Sequence, residues 1–186
     1  PVSQRGPEQT CCRSIKSVLR IEYVAETTYG QSQSDEVFEK SALIIGRNPK
    51  NNQIIGLDWG PQLERHGGNM LIGGAAAAHE SYQEIAEREI TEETGYTNFK
   101  LVKEADFEGH GYFYSNTKLK NIQCSGKGLL YDLVDETKTE TNLDVGEQDK
   151  FTVTWQPVEK VASMLHDGIH EAFYRSLVLG ETYHGE

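Results

Sequence analysis

An acidic segment between two glycine-containing stretches, residues 73–96, is the feature that most constrains this chain. Ser81 and Glu84 have the spacing of a capping box, and Gly95 stands where a helix would end. The segment therefore predicts a helix from about residue 81 to residue 94. Its narrow apolar stripe consists of Ile85, Ala86 and Ile90.

Three glutamates of this helix share one face. Glu89, Glu92 and Glu93 stand at positions i, i+3 and i+4, so their carboxylates project in the same direction. Like charges at this spacing destabilise a helix by about 0.2–0.5 kcal/mol per pair, which a divalent cation would relieve. Carboxylate oxygens without neighbouring His or Cys favour magnesium or manganese over zinc. The alternative is an acidic helix face exposed to solvent.

Length and charge restrict the fold and the partners. A chain of 186 residues with 37% hydrophobic residues predicts a single domain over residues 1–186 with a real core. The formal net charge of -11 would repel a bare phosphate backbone, so we expect no duplex nucleic acid as partner. A phosphate-bearing substrate would need a metal cation to mediate the contact.

The cysteines and the apolar runs point to an intracellular protein. Cys11 and Cys12 are neighbours and Cys124 is distant, which provides neither a disulfide framework nor a paired zinc site. The longest run of apolar and small residues, 70–78, is about half of what a membrane span needs. No secretory signal is recognisable at the first residue. We expect a cytoplasmic protein without membrane association, and the oligomeric state stays open.

The rest of the chain predicts mostly strands before and after the acidic helix. Residues 11–25 alternate in polarity, and a hairpin is expected around the turn 48–52. Pro157, as first helical residue, would open a helix that ends at Asp167 and Gly168, and Gly180 would end a last helix. The further predicted strands are 70–74, 96–102, 111–115, 126–134 and 150–155, and the last helix covers 170–179.

The acidic segment carries a recognisable signature. Gly74, Glu80 and the stretch from Arg88 to Tyr96 match G-x5-E-x7-R-E-U-x-E-E-x-G-U at every fixed position, where U is a bulky apolar residue. This pattern resembles the signature of the Nudix hydrolase family. Tyr96, at the last U, is less apolar than usual. The order of strand, loop and helix around the signature is also similar to that family.

The resemblance implies both a fold and an activity. The fold would be α/β (α+β), a Nudix-type α/β/α sandwich with a mixed sheet. The activity would be Mg²⁺-dependent hydrolysis of a diphosphate bond in a nucleoside diphosphate linked to another moiety, with Mn²⁺ as an alternative cation. The substrate would be a small nucleotide.

The resemblance also implies roles for the residues of the signature. Glu89, Glu92 and Glu93 would bind the metal, and the carbonyl of Gly73 would be an additional ligand. Glu92 and Glu93 would also act in catalysis.

Three more residues of the signature acquire supporting roles. Arg88 would hold the carboxylate of Glu92 four residues later, in support of catalysis. Glu80 would order water in the metal shell or close the loop against the helix. Gly74 would permit a tight loop entry, where a side chain would obstruct the diphosphate.

Other candidates lie downstream of the signature. The general base in this family varies, and here Glu147 is the candidate, with Asp149 and Asp144 as competitors. For each of them the alternative is an acidic loop exposed to solvent. Tyr112 and Tyr114 have a spacing that resembles the diadenosine-polyphosphate subgroup, in which an aromatic ring stacks on a base. Their alternative is a contribution to the core from one strand.

Two features depart from the family or point beyond it. The loop before Glu80 carries four alanines, 75–78, and then His79, where the family commonly has an acidic residue and a glycine. Pro1 with Val2, and the end at 183–186, resemble the edges of a segment in the editing domain of leucyl-tRNA synthetases. The alternative function is a non-catalytic or accessory nucleotide-binding module, and the resemblance of the edges implies an insert of such a synthetase as one form of it. The complete set of glutamates favours catalysis.

Overall fold

The strands and helices have the following bounds. The structure is a computed structural model that describes residues 20–24, 36–60, 69–115, 120–143, 150–165 and 168–181. The strands are β1 (Arg20–Val24), β2 (Glu36–Asn48), β3 (Gln53–Asp58), β4 (Asn69–Met70), β5 (Ile72–Ala75), β6 (Phe99–Glu104), β7 (Glu108–Ser115), β8 (Lys120–Leu133) and β9 (Thr152–Pro157). The helices are α1 (Tyr82–Thr94), α2 (Val158–Met164) and α3 (Gly168–Tyr174), which continues into a π-helical turn, Arg175–Leu179.

Two long strands organise the sheet. Strands β2 and β8 pair in parallel, and β1 pairs with β7 in parallel, whereas the other pairings are antiparallel. One path through the sheet runs β1-β7-β8-β2-β3-β4, with β5 on β2, β6 on β8 and β9 on β3. Each long strand is long enough to pair with two different strands along one edge. The predicted mixed sheet is confirmed.

Apolar residues alternate between the two faces of the sheet. Ile44 packs in the cluster that contains α1, and its neighbour Ile45 packs in the cluster that contains α2 and α3. Leu129 and Leu130 separate in the same way, because successive side chains of a strand point to opposite faces. Helices therefore cover both faces of the sheet, and the predicted α/β/α sandwich is confirmed.

Helix α1 has the predicted ends. The Ser81 hydroxyl accepts a hydrogen bond from the Glu84 amide at 3.2 Å, and the Glu84 carboxylate accepts one from the Ser81 amide at 2.7 Å. Gly95 has a φ of 75°, and its amide donates to the Thr91 carbonyl at 2.9 Å. The capping box and the glycine end are confirmed. The predicted apolar stripe is buried, with Ile85, Ala86 and Ile90 in the core.

The C-terminal helices differ from the prediction. Pro157 is the last residue of β9 and precedes α2, because its ψ of 136° is extended rather than helical. Gly168 begins α3 instead of ending a helix. The helix expected over 170–179 changes to π-helical geometry at Arg175. Gly180, with a φ of 70°, ends it as predicted.

Some predicted elements are described in part. The strand expected over 11–25 is β1 where the structure describes it, and the remainder of that range lies outside the described residues. None of the helices in the described part of the chain has the length and apolar character needed to cross a membrane.

Residues 134–143, which we call the strap, run along the C-terminal end of α1. The Thr139 amide donates to the Gly95 carbonyl at 2.7 Å, and the Asn142 amide donates to the Glu92 carbonyl at 3.1 Å. The Lys138 ammonium lies 4.0 Å from the centre of the Tyr96 ring. Because the last carbonyls of a helix have no partner within it, the strap satisfies groups that would otherwise need water.

Replacement of Gly95 by alanine tests the contact between α1 and the strap. A Cβ at Gly95 would lie 2.6 Å from the Thr139 carbonyl oxygen, and the residue has a left-handed φ. We expect Gly95→Ala to lower the free energy of unfolding by about 2–4 kcal/mol in urea titrations, since strain and overlap add.

Gly180 provides the matched control for that substitution. It has a similar φ of 70°, but a Cβ there would meet nothing within 4 Å. Gly180→Ala should therefore cost only about 1 kcal/mol. Equal losses for the two variants would show that the strap does not restrain the end of the helix.

Candidate active site

An open cleft of about 560 Å³ lies beside α1. Strand β5 and the loop after it form one wall, α1 forms the second, and the end of the strap forms the third. The lining residues are Gly73, Gly74, Ala75, Ala76, Ala77, Arg88, Glu89, Glu92, Glu93, Asn142 and Leu143. The cleft thus brings together most of the signature residues proposed from the sequence.

Arg88 connects three carboxylates. Its Nε and Nη2 donate to the two oxygens of Glu80 at 2.9 and 3.1 Å. Its Nη1 donates to Glu89 at 2.7 Å and to Glu92 at 3.0 Å, and Nη2 also donates to the Ala75 carbonyl at 2.9 Å. The hydrogen bonds to the carboxylates, that to Glu80 foremost, raise the pKa of Arg88 above its ordinary value. The predicted bond between Arg88 and Glu92 is confirmed.

Glu80 closes the loop against the helix. Both of its oxygens accept from Arg88, and one also accepts from the Ala77 amide at 2.6 Å. The bonds from Arg88, together with that from Ala77, hold the pKa of the Glu80 carboxyl below its ordinary value. Of the two roles predicted for Glu80, this geometry provides loop closure. Its role in ordering water at a metal stays a prediction.

The three glutamates of α1 differ in depth. The Glu92 side chain is 33% exposed and that of Glu89 is 13% exposed, whereas Glu93 as a residue is 6% exposed. The prediction that all three face one direction is confirmed insofar as all three line the cleft. Within the described ranges, no three His, Cys, Asp or Glu side chains are gathered closely enough to form a ready metal site.

The structure shows why position 74 requires a residue without a Cβ. It lies within β5, paired with Ala42, and a Cβ at this position would overlap the carboxylate of Glu89. The close approach of a helix side chain to a strand is thus a constraint that the sequence did not show, and the predicted role of Gly74 beside the loop and the diphosphate stays a prediction. Gly73 pairs with Leu43 and is exposed at the cleft.

Tyr96, the polar residue at the last signature position, is buried, and its hydroxyl has a hydrogen-bond partner. Its hydroxyl accepts a hydrogen bond from Trp155 Nε1 at 3.2 Å. Its ring meets those of Trp155 and Phe99 edge to face, with centroids 5.7 and 6.1 Å apart. The departure from an apolar residue is thus accommodated within the core.

Of the candidates downstream of the signature, the structure brings none of those that it describes to the cleft. Glu147, Asp144 and Asp149 lie outside the described residues, and their roles stay predictions. Tyr112 and Tyr114 belong to β7, where their backbones pair with Gln123 and Asn121 of β8. Strands β8 and β2 separate β7 from β5, so the topology does not bring these tyrosines to the wall of the cleft formed by β5.

Sequence reasoning missed three residues around the cleft. Asn142 and Leu143 line it from the strap. Lys40 of β2 donates from Nζ to the Glu80 carbonyl at 2.6 Å. Lys40 and Asn142 are distant in the chain from the residues that they contact, Glu80 and Glu92, and no local pattern signals such contacts.

Comparison with known proteins agrees with the signature and the sandwich. The model of the NUDIX domain family matches residues 38–177. The chain belongs to the Nudix family, and its class is that of the Nudix pyrophosphohydrolases. Nudix hydrolases generally use divalent metals. No curated protein matches the chain.

Several solved structures are similar to this chain at low identity. The Nudix hydrolase RenU from M. smegmatis has 16% identity and a TM-score of 0.48, over 75% of this chain and 82% of that one. A MutT structure from work on Aliivibrio salmonicida and Vibrio cholerae has 12% identity and a TM-score of 0.48, over 78% and 100%. A NUDIX hydrolase from Nitrosomonas europaea has 14% identity and a TM-score of 0.49, over 79% and 93%.

Replacement of Gly74 by alanine tests the approach of Glu89 to β5. The new methyl group would displace the Glu89 carboxylate, which is the flexible end of a side chain, so stability should change by less than about 1 kcal/mol. Loss of the bond between Glu89 and Arg88 should weaken Mn²⁺ binding, measured by electron paramagnetic resonance, by about 10-fold or more.

Gly73→Ala is the control on the same strand. A Cβ at Gly73 would have the Ala42 carbonyl oxygen at 3.2 Å as its nearest neighbour and would not approach Glu89. The substitution keeps the backbone carbonyl of residue 73, the group predicted to bind the metal, so this variant should bind Mn²⁺ like the parent protein. Weakening of equal size in both variants would assign the effect to the strand and not to Glu89.

Proposed function

We propose that the protein catalyses Mg²⁺-dependent hydrolysis of a diphosphate bond in a small nucleotide whose diphosphate is linked to a second moiety. The observation that carries this proposal is the cluster of Glu89, Glu92 and Glu93 around Arg88 on one wall of an open cleft. Membership of the family supports the class of reaction.

The residues present fit a hard divalent cation. The side-chain groups in the cleft that could bind a metal are carboxylates and one amide, without His or Cys. This set of oxygen ligands suits Mg²⁺ or Mn²⁺. Glu89, Glu92 and Glu93 would hold the cation, together with the carbonyl of Gly73. The terminal torsion of a glutamate is soft, so small rotations can bring these carboxylates together. The missing Cβ of Gly74 leaves the space that Glu89 occupies.

Charge explains why the cleft needs a cation. Arg88 is the one basic side chain among the described residues that line the cleft, and its donors already meet three carboxylates and a carbonyl. A bare diphosphate would face net negative charge there. A cation held by Glu89, Glu92 and Glu93 would supply positive charge to the diphosphate and greater acidity to a water.

The chain's own residues orient the reaction. Arg88 fixes one oxygen each of Glu89 and Glu92. Because these side chains are already ordered, they would lose less conformational entropy on binding a cation. Glu80 keeps the loop closed at the same time. We propose Glu147 as the residue that accepts the proton of the attacking water, with Asp144 and Asp149 as alternatives, and Glu92 or Glu93 as alternatives within α1.

The size of the cleft is consistent with a nucleotide. Its volume of about 560 Å³ lies within the range of small-molecule sites, about 300–1,000 Å³. Base stacking by Tyr112 or Tyr114 stays a separate proposal, because β8 and β2 lie between their strand and β5. So does a cytoplasmic location.

The alternative function, an accessory module of a leucyl-tRNA synthetase, depends on the chain ends at Pro1 and 183–186, which lie outside the described residues. The cleft favours catalysis, because a purely structural module has no use for three neighbouring carboxylates that line one cleft. This alternative stays a prediction.

Glu92→Gln tests the proposed reaction. The substitution keeps the shape of a partly exposed side chain but removes the charge, so the fold should persist while kcat falls by about 100-fold or more. The measurement is phosphate release coupled to a phosphatase, with and without Mg²⁺. The panel contains dinucleoside polyphosphates, nucleoside triphosphates, ADP-ribose and nucleotide sugars.

Glu87→Gln is the matched control, because Glu87 is an exposed residue of the same helix that does not line the cleft. It should retain activity. Full activity of Glu92→Gln on a substrate that the parent protein hydrolyses would contradict the role of the cluster. Absence of Mg²⁺-dependent turnover on the whole panel would favour the accessory module.

A further inference from the structure

The loop from Ala75 to Glu80 has few side chains with which to order itself. Four alanines offer no polar groups beyond the backbone, and His79 is exposed with a φ of 73°. The loop nevertheless has to place Glu80 against Arg88 with both carboxylate oxygens engaged. Within the loop, Glu80 and Ala77 bond to each other, and the remaining contacts that order the loop come from residues outside it.

Lys40 of β2 meets this loop at both ends. The Ala76 amide, near the start of the loop, donates to the Lys40 carbonyl at 2.7 Å. The Lys40 ammonium donates to the Glu80 carbonyl, at the end of the loop, at 2.6 Å. A single residue thus holds the entry and the exit of the loop on the same strand.

The surroundings of Lys40 keep its ammonium in place. Lys40 is partly buried, and its Nζ lies 4.3 Å from the centre of the ring of Tyr82, the first residue of α1. Contact with an aromatic face and a charge-assisted hydrogen bond both favour one position of this long side chain. The ammonium therefore contacts the loop and the start of the helix together.

The contacts continue from Glu80 to the carboxylate cluster. The Glu80 backbone is held by Lys40, and its side chain accepts two hydrogen bonds from Arg88. Nη1 of Arg88 donates to Glu89 and Glu92. A continuous series of hydrogen bonds thus runs from β2 to the two glutamates without any contact between Lys40 and the cluster itself.

We propose that Lys40 is a positioning residue that orients the carboxylate cluster toward a divalent cation by holding the loop and, through Glu80, Arg88. This inference rests on the proposed function. It assigns Lys40 no contact with the cation or the substrate.

The proposal and simple electrostatics predict opposite changes in Mn²⁺ affinity when Lys40 is replaced. Removal of a positive charge near three carboxylates would strengthen cation binding if charge alone mattered. If Lys40 positions the cluster, Lys40→Met should instead weaken Mn²⁺ binding by about 10-fold, the usual size of effects from residues that orient ligands. Lys40→Arg, which can still donate to the Glu80 carbonyl, should restore most of the affinity.

The experiment is a titration with Mn²⁺ alone, followed by electron paramagnetic resonance, together with the melting temperature of each variant. Lys100→Met is the control for charge, because Lys100 is an exposed residue of β6 that pairs with Asp132 of β8, away from the loop. We expect unchanged affinity for Lys100→Met and a shift in Tm of no more than about 4 °C for Lys40→Met.

Several outcomes would overturn the proposal. Unchanged or tighter Mn²⁺ binding by Lys40→Met, with normal binding by the parent protein, refutes the inference and leaves the proposed function intact. Lys40→Gln is measured as a second variant. If Tm falls strongly in both Lys40→Met and Lys40→Gln, and Mn²⁺ affinity falls in parallel without being restored by Lys40→Arg, Lys40 has a merely structural role. Failure of the parent protein to bind Mn²⁺ refutes the proposed function as well.

Discussion

The arrangement of the cleft depends on the hydrogen bonds of one guanidinium group. Arg88 donates hydrogen bonds to three carboxylates that repel one another, and its bond to the Ala75 carbonyl joins α1 to the end of β5. A planar group with five donors can meet acceptors on several sides at once, which a lysine ammonium cannot do with the same geometry. The helix, the strand and the loop are therefore held at one point.

The sheet fixes the position of the elements that Arg88 connects. Strand β2 pairs with β8 along one edge and with β5 and β3 along the other, so the strand beneath the cleft is fixed from both sides. Apolar residues on both faces, Ile44 toward α1 and Ile45 toward α2 and α3, bury that strand between helices. The polar groups of the cleft thus project from elements whose own positions are set by the core.

Features that depend on neighbouring residues could be predicted from the sequence. The capping box, the glycine end of α1 and the hairpin of β2 and β3 follow from local chemistry, and the signature identified the glutamates that line the cleft. Features that depend on distant contacts could not. Gly74 accommodates a side chain of a helix, and Lys40 acts on a loop 40 residues later. The π-helical end of the last helix also lacks a local pattern.

The strap follows a path encoded mainly in the backbone. Three of its bonds to α1 and to the residues just after it join main-chain groups, Thr139 to Gly95, Asn142 to Glu92, and Thr97 to Thr137, beside the side-chain bond from Asn98 to Asp135. Substitution of the strap side chains would leave those bonds in place. Side chains that face the cleft, such as that of Asn142, can therefore vary at little cost in stability. In evolutionary terms, the part of the cleft lining that the strap provides can drift while α1 stays unchanged.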